Sequence, residues 1–155
     1  MDENQPLCFR DARESDLDGI VRLLADDSLG RIREAYQTPL PKKYLEAFHA
    51  IEADSNNELM IATLEDELVG VLQITYTPQL TYQGGWRATI EGVRTASAKR
   101  GQGIGRKLIQ LAISRAKARG CHLVQLTTDK KREQALQFYN QLGFKATHQG
   151  MKLHL

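Results

Sequence analysis

The stretch that decides the fold is AKRGQGIGRKLIQLAISRAKARG, residues 98–120. Gly101, Gly103 and Gly105 stand at alternate positions among Lys99, Arg100, Arg106 and Lys107. Beyond them Ile109, Ala112, Ile113 and Ala116 repeat at i, i+3, i+4, i+7, the stripe of an amphipathic helix, and Gly120 suits the position just past its end. A glycine-rich turn feeding a basic helix start is a place for a bound phosphate, because the first N–H groups of a helix have no partner within it. Two familiar phosphate loops fail on spacing. The P-loop pattern G-x-x-x-x-G-K-[ST] is missing here. A dinucleotide fingerprint would need its third glycine where Arg106 stands, and an acidic residue about 20 positions further on. No Asp or Glu lies between Gly92 and Thr128. Used merely as a tight turn, the glycines would each cost about 0.5–1 kcal/mol. A loop whose successive N–H groups converge on an anion accounts for them better.

Working outward, RATIEGVRTA before the loop and HLVQLTT after the helix predict two strands, the second apolar enough to be central and buried. Strand, helix and strand here predict a parallel right-handed crossover. REQALQFYNQLGF predicts a last helix with Ala135, Phe138, Tyr139 and Leu142 on one face, and FKATHQGMKLHL a closing strand. Upstream, LCFRDA predicts an opening strand. RESDLDGIVRLLADD predicts a helix capped by Ser15 or Asp16, with Leu17, Ile20, Val21 and Leu24 inward. Residues 28–38 show no clear period and predict a loop or short helix. LPKKYLEAFHAIEAD predicts a helix with Pro41 in its first turn. ELMIATLE and ELVGVLQITYT predict a hairpin turning at Glu65–Glu67, and PQLTYQGGW a loop. The expected fold is α/β, a mixed sheet flanked by helices, in a single domain over 1–155.

The net charge of +2 hides an asymmetry. Residues 1–91 hold 17 acidic against 8 basic side chains, and residues 92–155 hold 2 against 13. One half suits a polyanion and the other a cation. The basic stretch has no aromatic residue on which bases could stack, so nucleic acid is not the expected partner. No apolar run approaches a membrane span, and the acidic N-terminus MDENQPLCFRDARESD does not resemble a signal peptide. A cytoplasmic location is expected. Cys8 and Cys121 stand in unrelated contexts and predict two free buried thiols, with no metal site.

Arg100, Gln102, Gly103 and Gly105, in the run R-G-Q-G-I-G, match the R/Q-x-x-G-x-G/A signature of the GCN5-related N-acetyltransferases, and ALQFYNQLGF resembles that family's A-x-x-F-Y-x-x-x-G-F ending. The element order agrees along nearly the whole chain. The resemblance implies that acetyl-CoA is the donor, with backbone amides from Gly101 through Gln102, Gly103, Ile104 and Gly105 to Arg106 cradling its pyrophosphate. Arg100, Arg106 and Lys107 would add charge, or would simply be solvated. Val93 and Thr95 would hold the pantetheine arm and thioester through backbone groups. Tyr139 matches the family's frequent general acid, since a phenol beside the sulfur can donate to the developing thiolate; an aromatic on that helix face is equally a core residue. Glu91 is the candidate base for the ammonium of the acceptor, or else an ordinary lining carboxylate. By the period-two rule it should share a face with Val93 and Thr95.

Two departures stand out. Arg132 occupies the place, three residues before Ala135, where many relatives carry a cofactor-contacting Asn, and with Lys130 and Lys131 it could reach a coenzyme A phosphate. Ser97 replaces a frequent Pro. The resemblance implies an acceptor pocket built from the first helices and the loop near residue 82. Asp26, Asp27, Glu34, Tyr36, Tyr44, Tyr82 and Trp86 lie there, a wall suited to a cationic amine or merely a solvated acidic surface. The expected activity is acetyl transfer to a primary amine, of a small molecule or a protein, by direct attack in a ternary complex. A non-catalytic acyl-CoA-binding sensor is the alternative, and a homodimer is expected by analogy alone.

Overall fold

The computed structural model describes residues 6–155; the first five residues of the acidic N-terminal stretch lie outside them. Five strands form one sheet in the order β1-β2-β3-β4-β5: β1 (Cys8–Asp11), β2 (Asn57–Leu64), β3 (Glu67–Pro78), β4 (Trp86–Thr95) and β5 (Cys121–Leu126). The first three junctions are antiparallel and the last, β4 with β5, is parallel. The helices are α1 (Leu17–Leu24), α2 (Ser28–Arg33), α3 (Lys42–Ala53), α4 (Ile104–Ala118) and α5 (Glu133–Gln141).

The hairpin between β2 and β3 turns at Glu65 and Asp66, both with positive φ, as its apolar–turn–apolar pattern requires. A second tight turn at Thr81–Gly84 carries Tyr82 and Gln83 at φ 53° and 60°. The sheet buries both faces. On one, Leu72, Ile74, Ala88 and Ile90 pack against Ile104, Leu108, Ile109, Ala112 and Ala116 of α4. On the other, Ile61 and Val71 pack against Ile20 and Leu23 of α1. Gly70 admits α4 closely: a Cβ there would lie 2.8 Å from Leu108 Cδ1. The period of 3.6 in α4 therefore becomes a layer of aliphatic side chains on the strands.

Three expectations fail. β5 is an edge strand with no fully buried residue, and its outer edge is unpaired by any described strand. Hydropathy registered the cover of α4 on one face and took it for a neighbour on both sides. Residues 145–155 form no strand: Met151, Leu153 and Leu155 alternate with Lys152 and His154 but stand almost fully exposed, without a ladder. Alternation makes a strand only where an edge is engaged. Cys8 is exposed and Cys121 half-buried, at opposite edges of the sheet, so the thiols are free but not both buried. Among the described residues no helix is long and apolar enough to cross a membrane.

Leu108 is fully buried between α4 and the sheet. Leu108→Ala should lower the unfolding free energy by about 2–5 kcal/mol in urea titrations. A loss well under that would mean that α4 does not seat on β3 as described.

Candidate active site

β4 serves two neighbours unequally. It pairs with β3 along its whole length, but its parallel pairing with β5 stops at Ile90↔Leu126. Beyond that point the two strands part, and a cleft of ≈ 150 Å³ opens between them, lined by Glu91, Val93, Arg94, Thr128, Arg132 and Tyr139 among others. The Ala96 N–H donates to Val69 O at 2.9 Å. Ladder alternation then turns the polar groups of Val93 and Thr95 away from β3, toward the gap. The Val93 carbonyl accepts from Arg94 Nη1 at 2.8 Å.

At the gap β4 also changes phase. Gln73 pairs with Glu91 and Val71 with Arg94, so Gly92 and Val93 oppose the single residue Leu72. This is a bulge, and Gly92 takes φ 63°, which only glycine adopts cheaply. Its effect corrects the expectation for Glu91. Ala88, Ile90 and, past the bulge, Val93 face α4. Glu91, opposite Gln73, and Arg94, opposite Val71, face the α1 side. Glu91 and Arg94 thus share one face, and Val93 and Thr95 the other.

The glycine loop lies on the Val93 side. Gly101 and Gly103 have φ 78° and 80°, and a Cβ on either would meet nothing within 4 Å. Gly105 is required by proximity, its Cβ position lying 3.3 Å from Thr95 Oγ1 and 3.6 Å from Phe138 Cζ. Gly103 is the N-cap of α4, and no side chain caps that end. The first intrahelical bond runs from Lys107 N–H to Gly103 O, so the preceding N–H groups have no partner within the helix. An anionic group fits there. Arg106 reaches Gln141 Oε1 at 3.4 Å, while Arg100 and Lys107 are exposed.

Tyr139 is half-buried, packed edge-on against Phe138 and Phe144, and it also lines the cleft. Tyr139 thus belongs at once to the core and to the cleft lining. Burial pushes its phenol pKa up, and the nearby Arg94 and Arg132 cations oppose that rise. It stays protonated through the neutral range, able to donate.

A carboxylate that the sequence did not mark as central organises the α1 side. Asp27 caps α2 by accepting from the Gly30 N–H, and pairs with Arg132 Nη1 at 2.7 Å and Arg94 Nε at 3.6 Å. Arg132 is therefore held toward Asp27 and the cleft. Burial alone would raise the Asp27 pKa, but the Gly30 N–H and the charges of Arg94 and Arg132 outweigh it and hold the carboxyl low. The acidic wall expected for an amine is otherwise dispersed. Asp26 accepts from Ser97 N–H, Glu34 from Tyr44 Oη, and Tyr36 bonds Asp18. Tyr82 stacks on His122, and Trp86 pairs with Cys121 at the far end of β4. Among the described residues no cluster of metal-ligating side chains occurs.

Residues 25–144 match the family described as Acetyltransferase (GNAT) family. The chain belongs to that family. It is thus of the acetyl-CoA-dependent N-acetyltransferase class. A crystal structure described as a transcriptional regulator from Bacillus halodurans is 61% identical, with a TM-score of 0.95 over 97% of this chain and 100% of that one. An acetyltransferase structure from Agrobacterium tumefaciens is 26% identical, with a TM-score of 0.84 over 96% and 99% of the two chains. The aminoalkylphosphonate N-acetyltransferase of Salmonella typhimurium is 28% identical over 92% of this chain and 88% of its own.

The Asp27 network makes a prediction about acid stability. Its folded pKa lies below its value of 3.8 in the open chain, so its stabilisation is whole above that pH and is lost as pH falls through the folded value. Asp27→Asn should lower stability at neutral pH and flatten its fall below about pH 4, as read by denaturant midpoints across pH. A parallel fall in both proteins would contradict the network.

Proposed function

We propose that this chain transfers the acetyl group of acetyl-CoA to the primary amine of a small molecule, by direct attack in a ternary complex. The observation that carries the reading is the pairing of an uncapped glycine-rich helix start with the gap where β4 parts from β5. Relatives named for aminoalkylphosphonate and glucosamine 6-phosphate support a small acceptor over a protein.

Acetyl-CoA, when bound, supplies the thioester carbonyl that the amine attacks. Backbone N–H groups from Gly101 to Arg106 would hold the pyrophosphate, with Arg100, Arg106 and Lys107 adding charge around it. The Val93 N–H and the backbone groups of Thr95, turned away from β3, would hold the pantetheine arm; the Val93 carbonyl is already held by Arg94 Nη1. Glu91, across the bulge on the opposite face, takes the proton that the ammonium loses before attack, directly or through water. As the C–N bond forms and the C–S bond breaks, Tyr139 donates its proton to the departing sulfur. The cations of Arg94 and Arg132 stabilise the phenolate until it takes up the proton shed by the new amide nitrogen.

The B. halodurans relative is described as a transcriptional regulator, which prompts a second reading for this chain, regulation through DNA. Much of the basic half is already engaged within the fold. Arg115 bridges Asp11 and Glu58 at 2.7 Å each, and Arg119 bonds Ser55 and Asn56 while lying over the Tyr76 ring.

Acetyl-CoA turnover over a panel of small amines, read as free thiol, tests the proposal. Tyr139→Phe should lower kcat by about 10²–10⁴-fold while acetyl-CoA binding is kept. Glu91→Gln should slow turnover and change the acid side of the pH–rate profile; an unchanged profile would remove Glu91 from the mechanism. Tight acetyl-CoA binding with no turnover of any amine would favour a sensor. Salt-dependent binding to duplex DNA in its place would favour the regulator.

A further inference from the structure

At the cleft two guanidinium groups share a single ion-paired carboxylate. Three guanidinium groups, those of Arg33, Arg94 and Arg132, gather at its α1-side rim around two carboxylates, Asp27 and Asp129. Asp129 is taken by Arg33 at 2.7 Å. That leaves Asp27 as the one counter-ion of both Arg94 and Arg132, while it also caps α2. The side chains of Arg94 and Arg132 are only 17% and 25% exposed, so water screens the repulsion between them poorly. Arg94 Nε and Arg132 Nη2 are buried with no hydrogen-bond partner. Burial, and then the neighbouring Arg132 charge, hold the Arg94 guanidinium below its ordinary proton affinity. A cation so placed calls for a second anion.

That anion is not the pyrophosphate of the donor. The glycine loop and the start of α4 lie on the face of Val93 and Thr95, whereas the bulge at Gly92 sends Arg94 to the other face. On that other face Arg94 stands with Glu91, and both line the cleft with Tyr139 and Arg132. A carboxylate able to receive an ammonium and a pair of guanidinium groups therefore sit side by side, the complement of a molecule bearing both charges.

We propose that Arg94 and Arg132 form an oxyanion subsite for the acceptor, and that the acceptor is a small zwitterion whose carboxylate or phosphonate lies a short chain from its amine. This deepens the acetyltransfer reading and rests on it. Asp27 is a positioning residue in this arrangement, holding the two guanidinium groups apart and aimed. Glu91 meets the amine, and the oxyanion sets how far that amine can swing from the thioester.

Matched acceptors test the subsite: 2-aminoethylphosphonate, β-alanine and propylamine, which share an amine and differ in the anion. The wild type should prefer at least one of the first two over propylamine by about 30-fold or more in kcat/KM, chiefly through KM. Whichever of them leads identifies the oxyanion as tetrahedral or planar. Arg94→Gln should shrink that ratio at least tenfold. Arg132→Gln should do the same, with Arg94→Lys recovering part of it, and thermal melts establish that each variant folds. An equal preference for propylamine, or variants that slow every acceptor alike, would overturn the subsite and leave the arginines only the Tyr139 phenolate to stabilise. The subsite is also read without turnover. Calorimetric titration of 2-aminoethylphosphonate and β-alanine into the protein saturated with coenzyme A should show binding that Arg94→Gln abolishes. Binding without turnover would sink the acetyltransfer reading and keep the subsite; turnover of propylamine alone, with neither anion bound, would do the reverse.

Discussion

Strand β4 cannot satisfy two neighbours over its full length, and the site exists because it does not. Its antiparallel ladder with β3 continues to Thr95, whereas its parallel ladder with β5 ends at Ile90. Backbone groups left open in a sheet interior are expensive unless something else takes them. Here the opening is built in by a bulge at Gly92, whose positive φ inserts one residue and reverses the phase of the strand beyond it. From that one irregularity come the backbone of Val93 and Thr95 turned away from β3 beside the cleft, and the division of β4 into two faces. The α4 face carries the glycine loop; the α1 face carries Glu91 and Arg94.

Charge asymmetry along the chain has a structural meaning as well. Acidic residues of the first half hold basic residues of the second: Asp27 holds Arg94 and Arg132, and Asp11 and Glu58 hold Arg115. Arg33 and Asp129 make the reverse connection. Surface pairs of this kind contribute little each. Those around Asp27 differ because they are shielded and converge on the cleft. The polarity of the sequence is thereby used twice, to dock α2 against the loop after β5 and to set two guanidinium groups on one carboxylate beside Tyr139.

Much of this was legible in the chain. The alternate glycines announced a tight turn into a helix start; two of them carry the positive φ that such a turn demands, and the third faces Thr95 at close range. The stripe of α4 and the aromatic end of α5 named core positions correctly, and Tyr139 proved to be both core and cleft. The phase of β4 beyond Gly92 is not legible by period two, which holds only for an uninterrupted pleat. An isolated glycine within a strand is the available sign of a bulge, and Gly92 was that sign. The edge position of β5 was hidden because helix cover and strand neighbours leave the same apolar signature. The role of Asp27 was hidden for a different reason. An Asp before a short helix reads as a cap, and its partners Arg94 and Arg132 are brought to it only by tertiary structure.

Central to the proposed chemistry is that the uncapped start of α4 and the gap beside β4 act together as one site for acetyl-CoA. Calorimetric titration with coenzyme A and with pantetheine, which lacks the pyrophosphate, tests it most directly. If the helix start holds the pyrophosphate, coenzyme A should bind at least about 100-fold more tightly, with a steep salt dependence that pantetheine lacks. Equal affinities, insensitive to salt, would contradict the claim.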